Sequence, residues 1–346
     1  MLPFLAKIPG RRFVITAALF ISACIFAIPT LALSENPPYA PKTLERGFTV
    51  MGTELKVKIY SSTAAEEAAA LNGFDAVLKE FQRIEDMMSE WKEGSAISEI
   101  NRNAGIQPVR TPPELFTVIR ASIEVSKITG GAFDVSWAAM RGLWNFTPGS
   151  EKVPDKKGIE KRLPLVNYKN IIIDEKNMTV FLKKKGMAIG LGAIAKGYAV
   201  DMAMMELKKL GMNNALITAG GDMRVQGKEG SEKWRIAVKH PRDKTKLLLS
   251  LPLENISIST SGDYERYFIK DNVLYHHIMS PKTGYPARGA RSVTIIGPDT
   301  MTTDALATAV FVMGAKEGMA LVEKLPGIEA IIIDTEGSMT KSSGIN

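Results

Sequence analysis

Cysteine is nearly absent: among 346 residues only Cys24 is one, and it lies in a leader-like N-terminus. Without that leader the chain would carry no thiol. Disulfides and thiolate metal centres are then excluded, even in an oxidising compartment. Histidine is scarce as well, so imidazole chemistry must rest on His240, His276 or His277. No basic run interleaves with aromatic residues, so no nucleic-acid partner is expected. Internal repeats are also lacking. Between residues 13 and 34 there is no charged side chain.

That uncharged stretch follows Lys7, Arg11 and Arg12, the order of an export signal. Three fates fit it. Ala32-Leu33-Ser34 offers small residues for cleavage before Glu35. Ile21-Ser22-Ala23-Cys24 resembles a bacterial lipobox, with Cys24 as the lipidated residue. The apolar run is also long enough to remain as an anchor. Arg11-Arg12 hints at twin-arginine export, although any basic n-region explains it equally well. Removing the three basic leader residues takes the formal charge from +7 to +4, too mild to specify a partner. The expected organisation is a leader over residues 1–34, a Pro-rich linker over 35–45, and one domain over 46–346.

Residues 46–60 alternate apolar and polar like a strand. Residues 64–88 carry Leu71, Phe74, Val77, Leu78, Phe81 and Ile84 at helical spacing. Thr111-Pro112-Pro113-Glu114 opens a second helix, with a threonine cap and an early acid, and Thr129-Gly130-Gly131 ends it. Residues 152–162 are charged and read as an exposed loop. Residues 171–182 read as a hairpin turning at Asp174-Glu175-Lys176-Asn177. A helix is expected over 195–210, closed by Gly211. Short strands follow at 216–218, 234–238, 247–251, 256–260, 267–270, 275–279 and 293–296. Helices at 304–313 and 316–325 and a strand at 330–333 complete the chain. Consecutive strands with short turns imply the α+β class, a mostly antiparallel sheet flanked by helices.

Several motifs carry candidate chemistry. Gly190-Leu191-Gly192-Ala193-Ile194-Ala195-Lys196-Gly197 puts small residues and one lysine ahead of a helix, which suits an anionic ligand such as phosphate. It matches the dinucleotide fingerprint G-x-G-x-x-A. However, only Met187, Ala188 and Ile189 could form the preceding strand, and no acid follows about twenty residues on. Small residues packing a helix on a sheet would look the same. Asp304 and Thr308 share a helix face and are hard oxygen ligands suited to Mg²⁺. Asp304 reads equally well as part of a helix cap behind Thr302 and Thr303. His276 and His277 are adjacent on a strand, so at most one faces a given site. His240 reads as a surface turn. Ser89-Glu90-Trp91-Lys92, Tyr168-Lys169-Asn170 and Lys282-Thr283-Gly284 follow the order of the penicillin-recognising serine enzymes. Ser89, however, follows an amphipathic helix instead of opening a buried one.

In combination these segments resemble the ApbE-like flavin transferases (FAD:protein FMN transferases). Seven ordered blocks carry the resemblance. They are Met51-Gly52-Thr53, Gly130-Gly131-Ala132-Phe133-Asp134-Val135, residues 191–201, Gly220-Gly221-Asp222, Ser259-Thr260-Ser261-Gly262-Asp263-Tyr264, residues 277–286, and residues 304–314. The resemblance implies an ApbE-like fold and an enzyme outside the bacterial cytoplasmic membrane, often a lipoprotein. It implies cleavage of the FAD pyrophosphate, release of AMP, and attachment of FMN to a threonine or serine of a target protein. The expected target is a membrane redox-complex subunit. By position, Asp304, Thr308 and the carbonyl of Ala193 would hold Mg²⁺. Lys196 would lie near the pyrophosphate. Met51, Trp91, Ala132, Phe133, Asp134, Gly190 and Met279 would line the flavin-nucleotide cleft, and His277 would be the base. Two acids usual in the family are replaced, by Gly190 before Leu191 and by Ser280 after the histidine strand. A metal-dependent FAD pyrophosphatase and a non-catalytic periplasmic FAD-binding protein are the alternatives.

Overall fold

The computed structural model describes residues 39–243 and 245–345. The expected leader, with Cys24, lies outside them. Among the described residues no helix is long and apolar enough to cross a membrane.

The chain begins with β1 (Lys42–Val50), β2 (Thr53–Ser61), α1 (Ala64–Met88), α2 (Ala96–Arg102), β3 (Val109–Arg110) and α3 (Pro113–Ile128). It continues with α4 (Lys156–Arg162), β4 (Ile171–Asp174), β5 (Thr179–Leu182), α5 (Ala195–Lys209), β6 (Ala215–Ala219) and β7 (Asp222–Gln226). Next come β8 (Trp234–Lys239), β9 (Leu247–Leu253), β10 (Ile256–Gly262), β11 (Tyr267–Lys270), β12 (Val273–His276) and β13 (Ser292–Gly297). The end is α6 (Thr300–Met313), α7 (Ala315–Val322), β14 (Glu329–Ile333) and β15 (Met339–Lys341).

The α+β expectation is met. An eight-stranded sheet runs β1-β2-β6-β7-β10-β13-β14-β15, every neighbouring pair antiparallel. Alternation sorts its side chains to two faces. Val293, Ile295, Ala330 and Ile332 join the large core under α1, α5 and α6. Ile296 and Ile331 point the other way, where Trp234, Ile236 and Val238 of the β8–β9 ribbon cover them.

Local chemistry explains the main elements. Thr63 caps α1 by accepting from the Glu66 N–H at 3.2 Å, and Glu66 reaches back to the Ser62 N–H at 2.7 Å, a capping-box arrangement. Phe74, Val77, Phe81 and Ile84 then bury one stripe of α1, whereas Leu71 is exposed. The single strand expected over 46–60 is a hairpin that begins at Lys42, inside the expected linker. Met51 and Gly52 both take positive φ, 51° and 65°, so the chain reverses in two residues. The cap of α3 is also different: Pro112 occupies it without a side-chain bond, and the Thr111 hydroxyl donates to the Met178 carbonyl instead. The charged stretch expected as a loop contains α4, because Asp155 accepts from the Gly158 N–H and caps it.

Candidate functional site

Three ionisable side chains from three elements meet at one buried point. Lys196 stands in the first turn of α5, Asp222 opens β7, and Asp304 lies in the second turn of α6. Lys196 Nζ is 2.8 Å from the Asp222 carboxylate and 3.3 Å from that of Asp304. Asp304 also accepts from the Gly197 N–H at 3.1 Å, one of the amides that a first helical turn leaves unpaired. The positive end of α5 therefore faces it.

The helices approach closely enough for this because residue 197 is glycine. A β-carbon there would stand 2.2 Å from the Thr300 carbonyl oxygen and 2.9 Å from Asp304 Cβ. Asp201, one turn further along α5, accepts from the backbone N–H groups of Thr300 and Met301, each at 2.9 Å. Asp299 caps α6 by accepting from the Thr302 N–H at 2.8 Å. Asp304 is thus not a cap. It lies past the first turn with its carboxylate aimed across at α5.

Asp222 and Asp304 are 3% and 4% exposed, so two buried carboxylates share one ammonium. Burial and repulsion from Asp222 push the Asp304 carboxyl upward, against Lys196 and the Gly197 N–H. Burial pulls Lys196 down, but the two carboxylates more than offset it and the ammonium is held charged. The cluster thus sets two carboxylates around a single ammonium.

Thr308, one turn beyond Asp304 on the same face of α6, has its hydroxyl 3.3 Å from that of Ser261 on β10. Ala193 lies just before Ile194, the cap residue of α5. Among the described residues no group of three or more His, Cys, Asp or Glu side chains is arranged to hold a metal. The oxygens of Asp304 and Thr308, with the Ala193 carbonyl next in sequence to the α5 cap, suit a hard cation that takes few protein ligands and completes its shell with water and phosphate.

The two adjacent histidines part company, as strand geometry requires. His276 is buried, its Nε2 2.8 Å from the Ala287 carbonyl oxygen, with its ring edge-on to Phe311. His277 leaves the strand, keeps a solvent-exposed face and donates its backbone N–H to the Arg266 carbonyl at 3.1 Å. Enclosure by protein pushes its imidazole down to about 4, with Arg266, His276 and Lys196 adding to the effect. His277 is thus at the surface, and its imidazole is neutral at physiological pH. The Arg266 side chain donates to the Gly52 carbonyl at 2.8 Å, so Arg266 links the Met51 turn to the His277 segment.

The remaining expected residues divide. Trp91 is 73% exposed, with the Arg141 guanidinium 4.5 Å from its ring centre. Ala132, Phe133 and Met279 are buried. Asp134 is occupied: it accepts from the Ser136 N–H and hydroxyl and from the Tyr168 N–H. Gly190 donates to the Val135 carbonyl at 2.9 Å, and Asn101 pairs both backbone groups of Ile189, which fixes the approach to α5. Ser280 turns the chain through its main chain, donating to Tyr285 and accepting from Gly284. The serine-enzyme pattern fails: Ser89 ends α1, and Lys92 pairs outward with Glu85 and Asp86.

Asp222, at 2.8 Å from Lys196, is a candidate functional residue to which sequence reasoning assigns no role. It was visible as the acid after Gly220-Gly221, but nothing local tells a strand-opening acid that grips a lysine from one that only closes a turn.

A sequence model described as the ApbE family matches residues 51–332. An FAD:protein FMN transferase of Klebsiella pneumoniae (strain 342) is 33% identical over 313 residues, covering 90% of this chain and 94% of that protein. One from Treponema pallidum (strain Nichols) is 31% identical over 316 residues, covering 87% of each. Among solved structures, the ApbE protein of Thermotoga maritima superposes with a TM-score of 0.79 at 37% identity, over 88% of this chain and 98% of that one. The flavin transferase ApbE of Vibrio cholerae does so with a TM-score of 0.77 at 27% identity, over 88% and 98%.

Proposed function

The chain belongs to the ApbE family, and from that premise we propose that it transfers FMN from FAD to a threonine or serine hydroxyl of a target protein, depends on Mg²⁺, and releases AMP. The observation that carries this reading is Lys196, held between Asp222 and Asp304 at the N-terminus of α5. Phosphoryl transfer is catalysed mainly by positioning and by charge fixed in advance.

The reaction assigns each group a task. The acceptor hydroxyl attacks the FMN-side phosphorus, a new P–O bond forms, and the bond to the AMP oxygen breaks. His277, neutral and partly open to solvent, takes the hydroxyl proton. Lys196 neutralises charge on the pyrophosphate, while Asp222 keeps its ammonium in place. Asp304, Thr308 and the Ala193 carbonyl would hold Mg²⁺. When bound, that ion supplies Lewis-acid stabilisation of the phosphoryl oxygens.

The leader supports a location outside the cytoplasmic membrane, by cleavage, lipidation at Cys24 or anchorage, and hence an acceptor exposed there, such as a membrane redox-complex subunit. One incubation with FAD, Mg²⁺ and a threonine-bearing target domain tests the reading. Covalent flavin on the target with one AMP released is expected. Free FMN would replace the proposal with a metal-dependent FAD pyrophosphatase, and intact bound FAD with a periplasmic FAD-binding protein.

A further inference from the structure

Glu90 lies just past α1 in a polar stretch, yet its side chain is only 16% exposed. It folds over the backbone of Gly190. A β-carbon at residue 190 would stand 2.6 Å from Glu90 Oε1, 3.1 Å from its carboxyl carbon and 3.1 Å from Ala138 Cβ. Gly190 is not among the residues with positive φ, so its backbone does not call for glycine. A side chain there would instead displace the Glu90 carboxyl group, the movable end of its side chain, and press on Ala138.

Arg141 holds that carboxyl group loosely. One guanidinium nitrogen donates to the Glu90 carbonyl at 2.9 Å, and the guanidinium stacks on Trp91. The other nitrogen, Nη2, is 3.6 Å from Oε1, too far for a hydrogen bond. It is buried without a hydrogen-bond partner among the described residues. Burial pushes the Glu90 carboxyl upward, and Arg141 opposes it. The backbone N–H of Glu90 also steadies its own carboxylate, and the group left unsatisfied is Arg141 Nη2, at a cost in free energy until a partner completes it.

We propose that Glu90 is the acidic residue of the nucleotide wall. Its carboxylate fills the place of a side chain at 190 and accepts a hydrogen bond from a neutral donor of bound FAD, an N–H of a ring system or a sugar hydroxyl. A carboxylate repels phosphate, so the contact falls on one end of the dinucleotide and not on its pyrophosphate. The acid missing before Leu191 is returned from another element. This inference rests on the FAD reading above.

A reciprocal exchange tests it. FAD affinity is measured by flavin fluorescence for the full chain and for E90A, G190D and E90A/G190D, with melting temperatures taken without ligand. E90A is expected to weaken FAD about 10–100-fold, the size of one hydrogen bond to a charged group. G190D weakens it too and lowers the melting temperature, because two carboxyls compete for one space. The double variant recovers both, a non-additivity expected of groups sharing a site. AMP and riboflavin as separate probes identify the half contacted, since only that fragment loses affinity in E90A. Wild-type FAD affinity in E90A would overturn the proposal, as would a double variant no better than G190D. The melting temperatures need no FAD. Their recovery alongside a wild-type chain that binds no flavin would sink the flavin reading while leaving the exchange of positions standing.

Discussion

The stretch from Gly190 to Lys196 carries two buried charge groups built in opposite ways. At Lys196 the partners are close, with Asp222 at 2.8 Å, Asp304 at 3.3 Å and a helix amide at 3.1 Å. At Gly190 the partners stand apart, with Glu90 and Arg141 separated by 3.6 Å and one guanidinium nitrogen unpaired. The first is complete before any ligand arrives, as charge stabilisation of a transition state requires. The second leaves one guanidinium nitrogen open to a further partner. On the function proposed above, the closed cluster serves catalysis and the open pair recognition, a distinction that only the contacts reveal.

The sharpest way to break this contrast is to remove the shared ammonium. Lys196→Met leaves two buried carboxylates facing each other and is expected to abolish transfer. It should cost about 3–5 kcal/mol of stability in denaturant melts, recovered in part by added Mg²⁺. Unchanged stability would mean that the cluster is not mutually dependent. His277→Ala comes next. Transfer is expected to fall about 10²–10⁴-fold with FAD affinity unchanged, so parallel rate and binding measurements separate a base from a binding residue.

Gly197→Ala acts on the frame and not on the charges. The added methyl meets the Thr300 carbonyl and forces α5 from α6, for about 1–3 kcal/mol of stability and looser Lys196–Asp304 contact. A melting temperature equal to wild type would show that the close helix approach is dispensable. The smallest effect is spectroscopic. The His277 imidazole should stay neutral from pH 8 down to 5 and titrate near 4, below the ordinary value of about 6.5. Its folded-state value is the lower one, so the unfolded chain takes the proton first. Native stability is therefore drawn down as pH falls from the unfolded value toward 4. An NMR titration assigned with His277→Ala reads this directly, and an ordinary midpoint would show that the surrounding protein and Arg266 do not depress the ring.

Much of the fold was legible because its signals are local. The α1 stripe of Phe74, Val77, Phe81 and Ile84, the β4–β5 hairpin and the α5 stop at Gly211 all follow from spacing and turn chemistry. The Met51-Gly52 reversal was missed because its first residue is neither Asn nor Asp, the residues that usually mark such a turn. The helix at Lys156–Arg162 was hidden because charge without apolar periodicity reads as loop. In the proposed site, Lys196, Asp304 and Thr308 stood out by motif and helical spacing and took their roles from the family resemblance. The resemblance also singled out His277, since adjacency with His276 left open which of the two faces a site. Asp222 and Glu90 did not stand out. Their roles come from contacts across the fold, Asp222 with α5 and α6 and Glu90 with Gly190, and an acid in a turn or a polar stretch carries no mark of what it will meet.

The central claim is that Asp304 with its neighbours forms the reaction centre. Its most direct test is a Mg²⁺ titration of covalent flavin transfer by wild type and Asp304→Asn, with FAD affinity measured alongside. The account predicts a Mg²⁺ midpoint raised about 10–100-fold, or no transfer at all, with FAD still bound. The same midpoint and the same rate in both proteins would contradict it.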